Sequence, residues 1–206
     1  MSMAALIYAG GRGTRLGGAI KANIEVGGQR LLERVRAALT PHASPLLVAH
    51  GAIDPAALGL LPDEIAVPDF DPPEGGPLAG LAGALLWCAA QPEPPGLLLT
   101  AAVDTPYLPD DYAPRMRDAL EIGGAAAAVA ASAGQTYPTN ALFRMTAIVD
   151  LPRRMHDGTA PKSLHRLLSD LDAPRVDWPD RGRGDPFANV NGPADLAALE
   201  ARSRSV

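Results

Sequence analysis

The chain has a single cysteine, Cys88, so no intrachain disulfide can form. That absence fits a reducing compartment, and a cytoplasmic location is expected. Cys88 lies in an apolar run of helical type and reads as a buried structural thiol, not a nucleophile. No apolar stretch approaches the roughly 20 residues of a membrane span. No basic region precedes the first short apolar run, so no signal peptide is expected. Positive charge is also scarce. The formal net charge is −5, which argues against general nucleic-acid binding and means that an anionic ligand must be met by local charge. Four histidines, His42, His50, His156 and His165, are scattered without the spacing of a zinc site. No Ser-His-Asp set and no internal repeat stand out.

What is present is an ordinary globular composition. Apolar residues make up 47% of 206 positions, enough for one sizeable core. One domain over residues 1–202 is expected, with a frayed tail over 203–206.

The most informative stretch is Ala4 to Lys21. An apolar strand-like run, Ala4-Ala5-Leu6-Ile7-Tyr8-Ala9, breaks into a loop holding Gly10, Gly11, Gly13, Gly17, Gly18, Arg12, Arg15 and Lys21. Glycine lets a backbone come close to a ligand. Free amides in such a loop form a concavity for anions, and arginine and lysine add charge. The loop is not the dinucleotide fingerprint, because Leu16 stands where the third glycine belongs. Nor is it a Walker loop, since Ala19-Ile20 follow Gly18 and Lys21 comes too late. A phosphate cradle and a plain surface turn both remain open on the residues alone.

Along the chain, Asn23 to Val26 reads as a short extended piece turned by Gly27-Gly28. Leu31, Leu32, Val35 and Leu39 recur at helical spacing, and Pro41 ends that helix. Strands are predicted at Pro45–Ala49 and Glu64–Val67, with a short helix over 55–60 between them. Residues 68–76 form a Pro- and Gly-rich loop, and a helix runs from Leu78 to Gln91 with Pro77 suited to its first turn. Leu97–Val103 is the clearest central strand. Asp104 follows directly, where open α/β sheets bind ligands, and reads either as a cation ligand or as a cap. A helix is expected over 110–122, strands over 125–131 and 137–144, and helices over 147–155, 162–171 and 193–202. The segment 185–193 reads as a loop or short strand. Strands alternating with helices give an α/β protein with a mostly parallel sheet.

Taken in order, four motifs resemble the molybdenum cofactor guanylyltransferases, within the glycosyltransferase-A-like nucleotidyltransferases. Tyr8-Ala9-Gly10-Gly11 with Arg15, Leu16, Gly17 and Lys21 is similar to the family's L-A-G-G-x-x-x-R-M-G. Gly76-Pro77-Leu78-Ala79-Gly80-Leu81, preceded by Asp69, is the second. Asp104-Thr105-Pro106 matches C-D-T-P, and Asn189-Val190-Asn191 before Gly192-Pro193 is similar to N-x-N-T-P. Tyr137-Pro138-Thr139-Asn140-Ala141-Leu142 is a weaker match to H-P-T-x-A-L. The chain departs from the pattern at Ile20, where an acidic residue is usual, at Val103, at Ala49-His50-Gly51 and at Tyr137.

The resemblance implies a three-layer α/β/α sandwich with a Rossmann-like nucleotide-binding half. It implies transfer of GMP from GTP to the terminal phosphate of molybdopterin, with release of pyrophosphate and Mg²⁺ as cofactor. Arg15, Lys21 and Asp104 would be catalytic. Tyr8, Ala9, Gly10, Gly11, Arg12, Gly13, Thr14, Lys21, Asp69, Pro77, Leu78, Gly80 and Asp104 would bind the nucleotide. Asp104 and Asn191 would hold the metal, and Pro138, Thr139, Asn140 and Asn189 would meet the acceptor. For Lys162 and Arg166, ligand contact and a solvated helix face stay equally open. Transient contact with molybdoenzymes or their chaperones is implied, and no contact with nucleic acid or membrane. Two alternatives stand beside this: a nucleotidyltransferase for another phosphate acceptor, such as a sugar phosphate, and a GTP- or pterin-binding module impaired in catalysis.

Overall fold

The computed structural model describes residues 1–71, 76–180, 182 and 184–204. The middle of the loop expected at 68–76 and the end of the expected tail fall outside the described residues.

Seven strands form one sheet: β1 (Met3–Tyr8), β2 (Leu46–Ala49), β3 (Glu64–Val67), β4 (Leu97–Ala102), β5 (Ala127–Ser132), β6 (Gln135–Arg144) and β7 (Arg175–Asp177). Their spatial order is β7-β5-β6-β4-β1-β2-β3. The neighbours β3-β2-β1-β4 are all parallel, which is the strand order of a Rossmann-type half. β6 runs antiparallel to both β4 and β5, and β7 pairs parallel with β5. The expected mostly parallel sheet is what forms.

The helices are α1 (Leu31–Leu39), α2 (Pro77–Ala89), α3 (Tyr112–Gly123), α4 (Met145–Ile148), α5 (Leu151–His156), α6 (Leu164–Asp170) and α7 (Pro193–Ser203). The expected helix over 147–155 is two short ones, with Pro152 in the first turn of α5, where its missing N–H does least harm. α3 starts at Tyr112, two residues later than expected, and α7 ends at Ser203. The strand β7 was not anticipated.

β1 is covered on both sides, so its side chains divide between two cores. Ala5 and Ile7 join Leu31, Leu32, Val35, Met116 and Leu120 on one face. Ala4 and Leu6 join Leu81, Leu85, Leu164 and Leu167 on the other. Each layer of helices thus seals one face of the sheet, giving the three-layer sandwich. Cys88 is buried in the second core, and burial pushes its thiol up to about 11, as expected of a structural cysteine. No helix among the described residues is long and apolar enough to cross a membrane.

Two small hairpins decorate the first part of the chain. Glu25–Val26 pairs with Gln29–Arg30 around Gly27 and Gly28, both at positive φ, as expected for a two-residue turn. The glycine loop itself is pinned by Arg12–Gly13 pairing with Ala19–Ile20, a hairpin not read from the sequence. Ile20 packs against the first core, partly buried, so this position is apolar in environment as well as in identity.

Candidate active site

The strand order reverses between β1 and β4, and the loops leaving these strands diverge there. A cavity of about 370 Å³ opens at that point. From β1 and its loop come Tyr8, Gly10, Gly11 and Lys21; from the end of β4 come Val103 and Asp104. Asp69, Pro77 and Gly80 close one side, and Thr139 and Asn189 the other. Residues predicted from distant parts of the sequence are therefore gathered at one switch point.

Close backbone packing explains the glycines. A Cβ on Gly10 would lie 2.9 Å from both Cα and N of Gly51. A Cβ on Gly80 would lie 2.9 Å from Cβ of Ala49, with Asp69 Oδ1 and Tyr8 each 3.5 Å away. Gly51 has φ 56°, so it turns the chain at the end of β2 while leaving room for the loop. Gly51, Ala52 and Gly76 line the cavity and were not among the predicted site residues. The position of Gly51 just beyond a strand end is the signal that could have found it.

The centre of charge is Lys21. Its Nζ donates to Asp104 Oδ2 at 2.6 Å and to Asn191 Oδ1 at 3.0 Å. The Lys21 and Asp104 side chains are only 14% and 15% exposed. The backbone N–H of Lys21 is tied to Gly11 O, so the loop sets where the ammonium projects. On the other side, Val190 N donates to Asp104 O at 3.1 Å. Asn191 is held at the start of α7, where the Asp195 carboxylate accepts from the N–H groups of both Asn191 and Gly192. Asn189 Oδ1 is buried with no hydrogen-bond partner among the described residues. Burial raises the pKa of the Asp69 carboxyl above the usual range, with His50 pulling weakly the other way. Burial also pushes the Tyr8 hydroxyl upward.

The other predicted residues are placed less directly. Ala9 is buried beneath the loop and donates to Ala49 O at 2.8 Å. Leu78 is buried in the second core. Gly13 is buried under Leu16. Arg12, Thr14 and Arg15 are exposed outside the cavity wall, and neither arginine forms an ion pair among the described residues. Pro138 faces a separate groove beside His165, and Asn140 is fully buried. The register of β6 against β5 shifts between Tyr137 and Ala141. Within this irregularity Asn140 Oδ1 accepts from Ala102 N at 2.9 Å, so a side chain completes the ladder where backbone cannot. Asn140 Nδ2 has no partner among the described residues.

Chemically, the cavity offers backbone amides at a glycine loop, one ammonium, two carboxylates and amide oxygens. The positive end of α2 also faces it through Gly76 and Pro77. Such a set suits a polyphosphate with a divalent cation better than a neutral ligand.

Comparison with known proteins agrees with a nucleotide ligand. Residues 5–174 match the model of the MobA-like NTP transferase domain. The chain is 35% identical over 204 residues to the molybdenum cofactor guanylyltransferase of Cereibacter sphaeroides, covering 99% of this chain and 98% of that one. It is 36% identical over 199 residues to the enzyme of the same name from Rhodopseudomonas palustris, covering 95% and 91%. The crystal structure of molybdopterin-guanine dinucleotide biosynthesis protein A from Archaeoglobus fulgidus superposes with a TM-score of 0.73 at 21% identity, covering 98% and 99%. The chain belongs to the MobA-like NTP transferase family.

Proposed function

We propose that the chain transfers GMP from GTP to the terminal phosphate of molybdopterin and releases pyrophosphate. The observation that carries this is the meeting of Lys21 with Asp104 and Asn191, with Lys21 and Asp104 on the wall of a cavity beside the glycine loop. Relatives named for this reaction along almost the whole chain support the choice of nucleotide and acceptor.

In this reaction both partners are anions, so catalysis is mostly positioning and charge compensation. An oxygen of the acceptor phosphate forms a bond to the α-phosphorus of GTP. The bond from that phosphorus to the bridging oxygen breaks in line, and pyrophosphate departs with the electron pair. The amides of Gly10 to Thr14 would hold the triphosphate, with Arg12 and Arg15 reaching it from the rim. Lys21 would offset charge on the α-phosphate and on the leaving group. Guanine would lie between the first loop and the Asp69–Gly80 side. Thr139 and Asn189 would meet the acceptor from the opposite wall, with Pro138 and Asn140 shaping that wall.

Mg²⁺ fits the residues present. Asp104 and Asn191 already direct oxygens at one cation, the Lys21 ammonium, and Asn189 Oδ1 is an orphaned acceptor nearby. No group of three or more His, Cys, Asp or Glu able to hold a metal occurs among the described residues. A site of one carboxylate completed by phosphate oxygens and water is how Mg²⁺ is usually held. Asp104 and Asn191 would hold it, and it would screen the phosphate charges. The reaction is placed in the cytoplasm, with molybdoenzymes or their chaperones as transient recipients of the product.

The test is pyrophosphate release by the purified chain with Mg²⁺ and GTP, with and without molybdopterin. Release that requires molybdopterin supports the proposal. Release with a sugar phosphate instead would support a different acceptor, and GTP binding with no turnover would leave only a binding module, the alternative that Ile20 keeps open. Thermal stabilisation by GTP over CTP tests the base, since a ligand at ~100 times its Kd adds about 2.7 kcal/mol.

A further inference from the structure

Asn189 and Asn191 sit on a segment with little secondary structure, 185–192, yet Asn191 bonds Lys21 and Asn189 lines the same cavity as Lys21 and Asp104. Besides the Asp195 carboxylate on the N–H groups of Asn191 and Gly192, and Arg202 on the Asp185 carbonyl, three anchors hold this segment. The first is Phe187, fully buried in an aromatic cluster, with ring centroids 5.1 Å from Tyr137, 5.3 Å from Trp178 and 6.1 Å from Tyr112. The second is the carboxylate of Asp185. Its Oδ1 accepts from Phe187 N at 2.9 Å, while its Oδ2 accepts a short hydrogen bond from the Tyr137 hydroxyl. The third is Val190 N on Asp104 O.

Among the partners in these contacts, Tyr137 stands on the strand proposed to meet the acceptor. It stands in β6 immediately before Pro138-Thr139-Asn140, at the start of the register shift. The phenol of Tyr137 donates one hydrogen bond from its tip, to Asp185 Oδ2.

Resting on the guanylyl-transfer proposal above for its kinetic arm, we infer that Tyr137 is a positioning residue. Through Asp185 it holds the Asn189–Asn191 segment against Asp104 and couples the acceptor-side strand to the nucleotide site. The ring packs on Phe187 while the hydroxyl fixes the turn that delivers both asparagines. Loss of the hydroxyl alone leaves the aromatic cluster filled and releases the segment.

Tyr137→Phe separates the two roles. Amide hydrogen exchange should speed up at Phe187 and Val190, with β1 and β4 unchanged, a readout that needs no turnover. In the enzyme assay kcat should fall about tenfold or more with the KM for GTP moving less than about twofold, since misplacement costs rate more than binding. Because Tyr137 acts through the asparagines, Tyr137→Phe combined with Asn191→Ala should be little worse than Asn191→Ala alone. Asp185→Asn keeps both contacts, its carbonyl accepting from Phe187 N and its amide donating to Tyr137 Oη, and should retain most activity. Asp185→Ala should not. Unchanged exchange at Phe187 and Val190 overturns the inference, as does a purely additive double variant. If Tyr137→Phe unfolds the chain, the contrast between Asp185→Asn and Asp185→Ala decides, and equal behaviour of those two overturns it. If the wild type proves inactive towards molybdopterin, the exchange data still decide this point while the proposed reaction falls separately.

Discussion

Lys21 Nζ stands 2.6 Å from Asp104 Oδ2 although the two residues are 83 positions apart, and both side chains are mostly shielded from water. Without ligand, each neutralises the other. Removing either partner leaves the opposite charge uncompensated inside the cavity. Lys21→Ala and Asp104→Ala should each lower the rate of pyrophosphate release on the order of 100-fold or more, the cost of one electrostatic donor in an active site. Steady-state kinetics check this, and near-normal turnover in either variant would remove both residues from the chemistry.

Gly10→Ala tests the close approach of the loop to β2. The added methyl meets backbone atoms of Gly51 at 2.9 Å, and backbone cannot swing aside like a flexible side chain. Overpacking of this kind costs on the order of 1–3 kcal/mol. Denaturant unfolding should show that loss, and GTP binding by calorimetry should weaken with it because the displaced loop is the ligand's wall.

Asp69 gives a pH-dependent signature. Its folded pKa is raised by burial, and no hydrogen bond to its carboxylate occurs among the described residues. An acid with a raised folded pKa binds its proton more tightly when folded, so its contribution favours the folded state at low pH and is lost as pH rises through the folded pKa. Asp69→Asn should therefore stabilise the free protein at neutral pH, and the gain should vanish below the ordinary aspartate range, about pH 4. Thermal melts across pH measure this. The same variant should weaken GTP binding if the carboxylate faces the ligand, and unchanged affinity would move the base elsewhere.

Arg36 and Glu64 tie α1 to the edge strand β3. The guanidinium makes two bonds to the carboxylate, one of them Nη2 to Oε2 at 2.8 Å, with side-chain exposures of 12% and 3%. Glu64 Oε2 also accepts from Leu61 N at 2.7 Å. Arg36→Ala should cost about 3 kcal/mol by stranding a buried carboxylate. Neither residue lines the cavity, so kcat should be preserved at temperatures where the variant is folded.

Much of this molecule is legible from its residues, for a physical reason. Strands buried on both faces must be continuously apolar, so Leu97–Val103 and Ala4–Tyr8 announce themselves, and cavity-lining side chains collect just past such strands, as Asp104 does. Pro41, Pro77 and the Gly27-Gly28 pair mark boundaries through restrictions of their own backbone. What stayed hidden depends on partners far away in sequence. β7 has only Val176 buried, too short a pattern to recognise. The hairpin in the glycine loop rests on two residues per strand. Asn140 serves the ladder only because β6 slips register beside it, and Tyr137 meets Asp185 only because Phe187 brings that turn into the aromatic cluster. The motif order pointed to Arg15 as well as Lys21, but the fold places only Lys21 on the cavity wall.

β6 runs against its neighbours, and that reversal has an evolutionary consequence. A forward strand would have sent its far end to the rim and required a crossover helix beneath it. The reversed one brings its beginning there, straight from a two-residue turn at Ala133 and Gly134. Insertions at that turn would lengthen the acceptor wall without altering β1, β4 or the glycine loop. On the proposed reading, acceptor choice could be changed by editing one short hairpin, without touching the half proposed to handle the nucleotide.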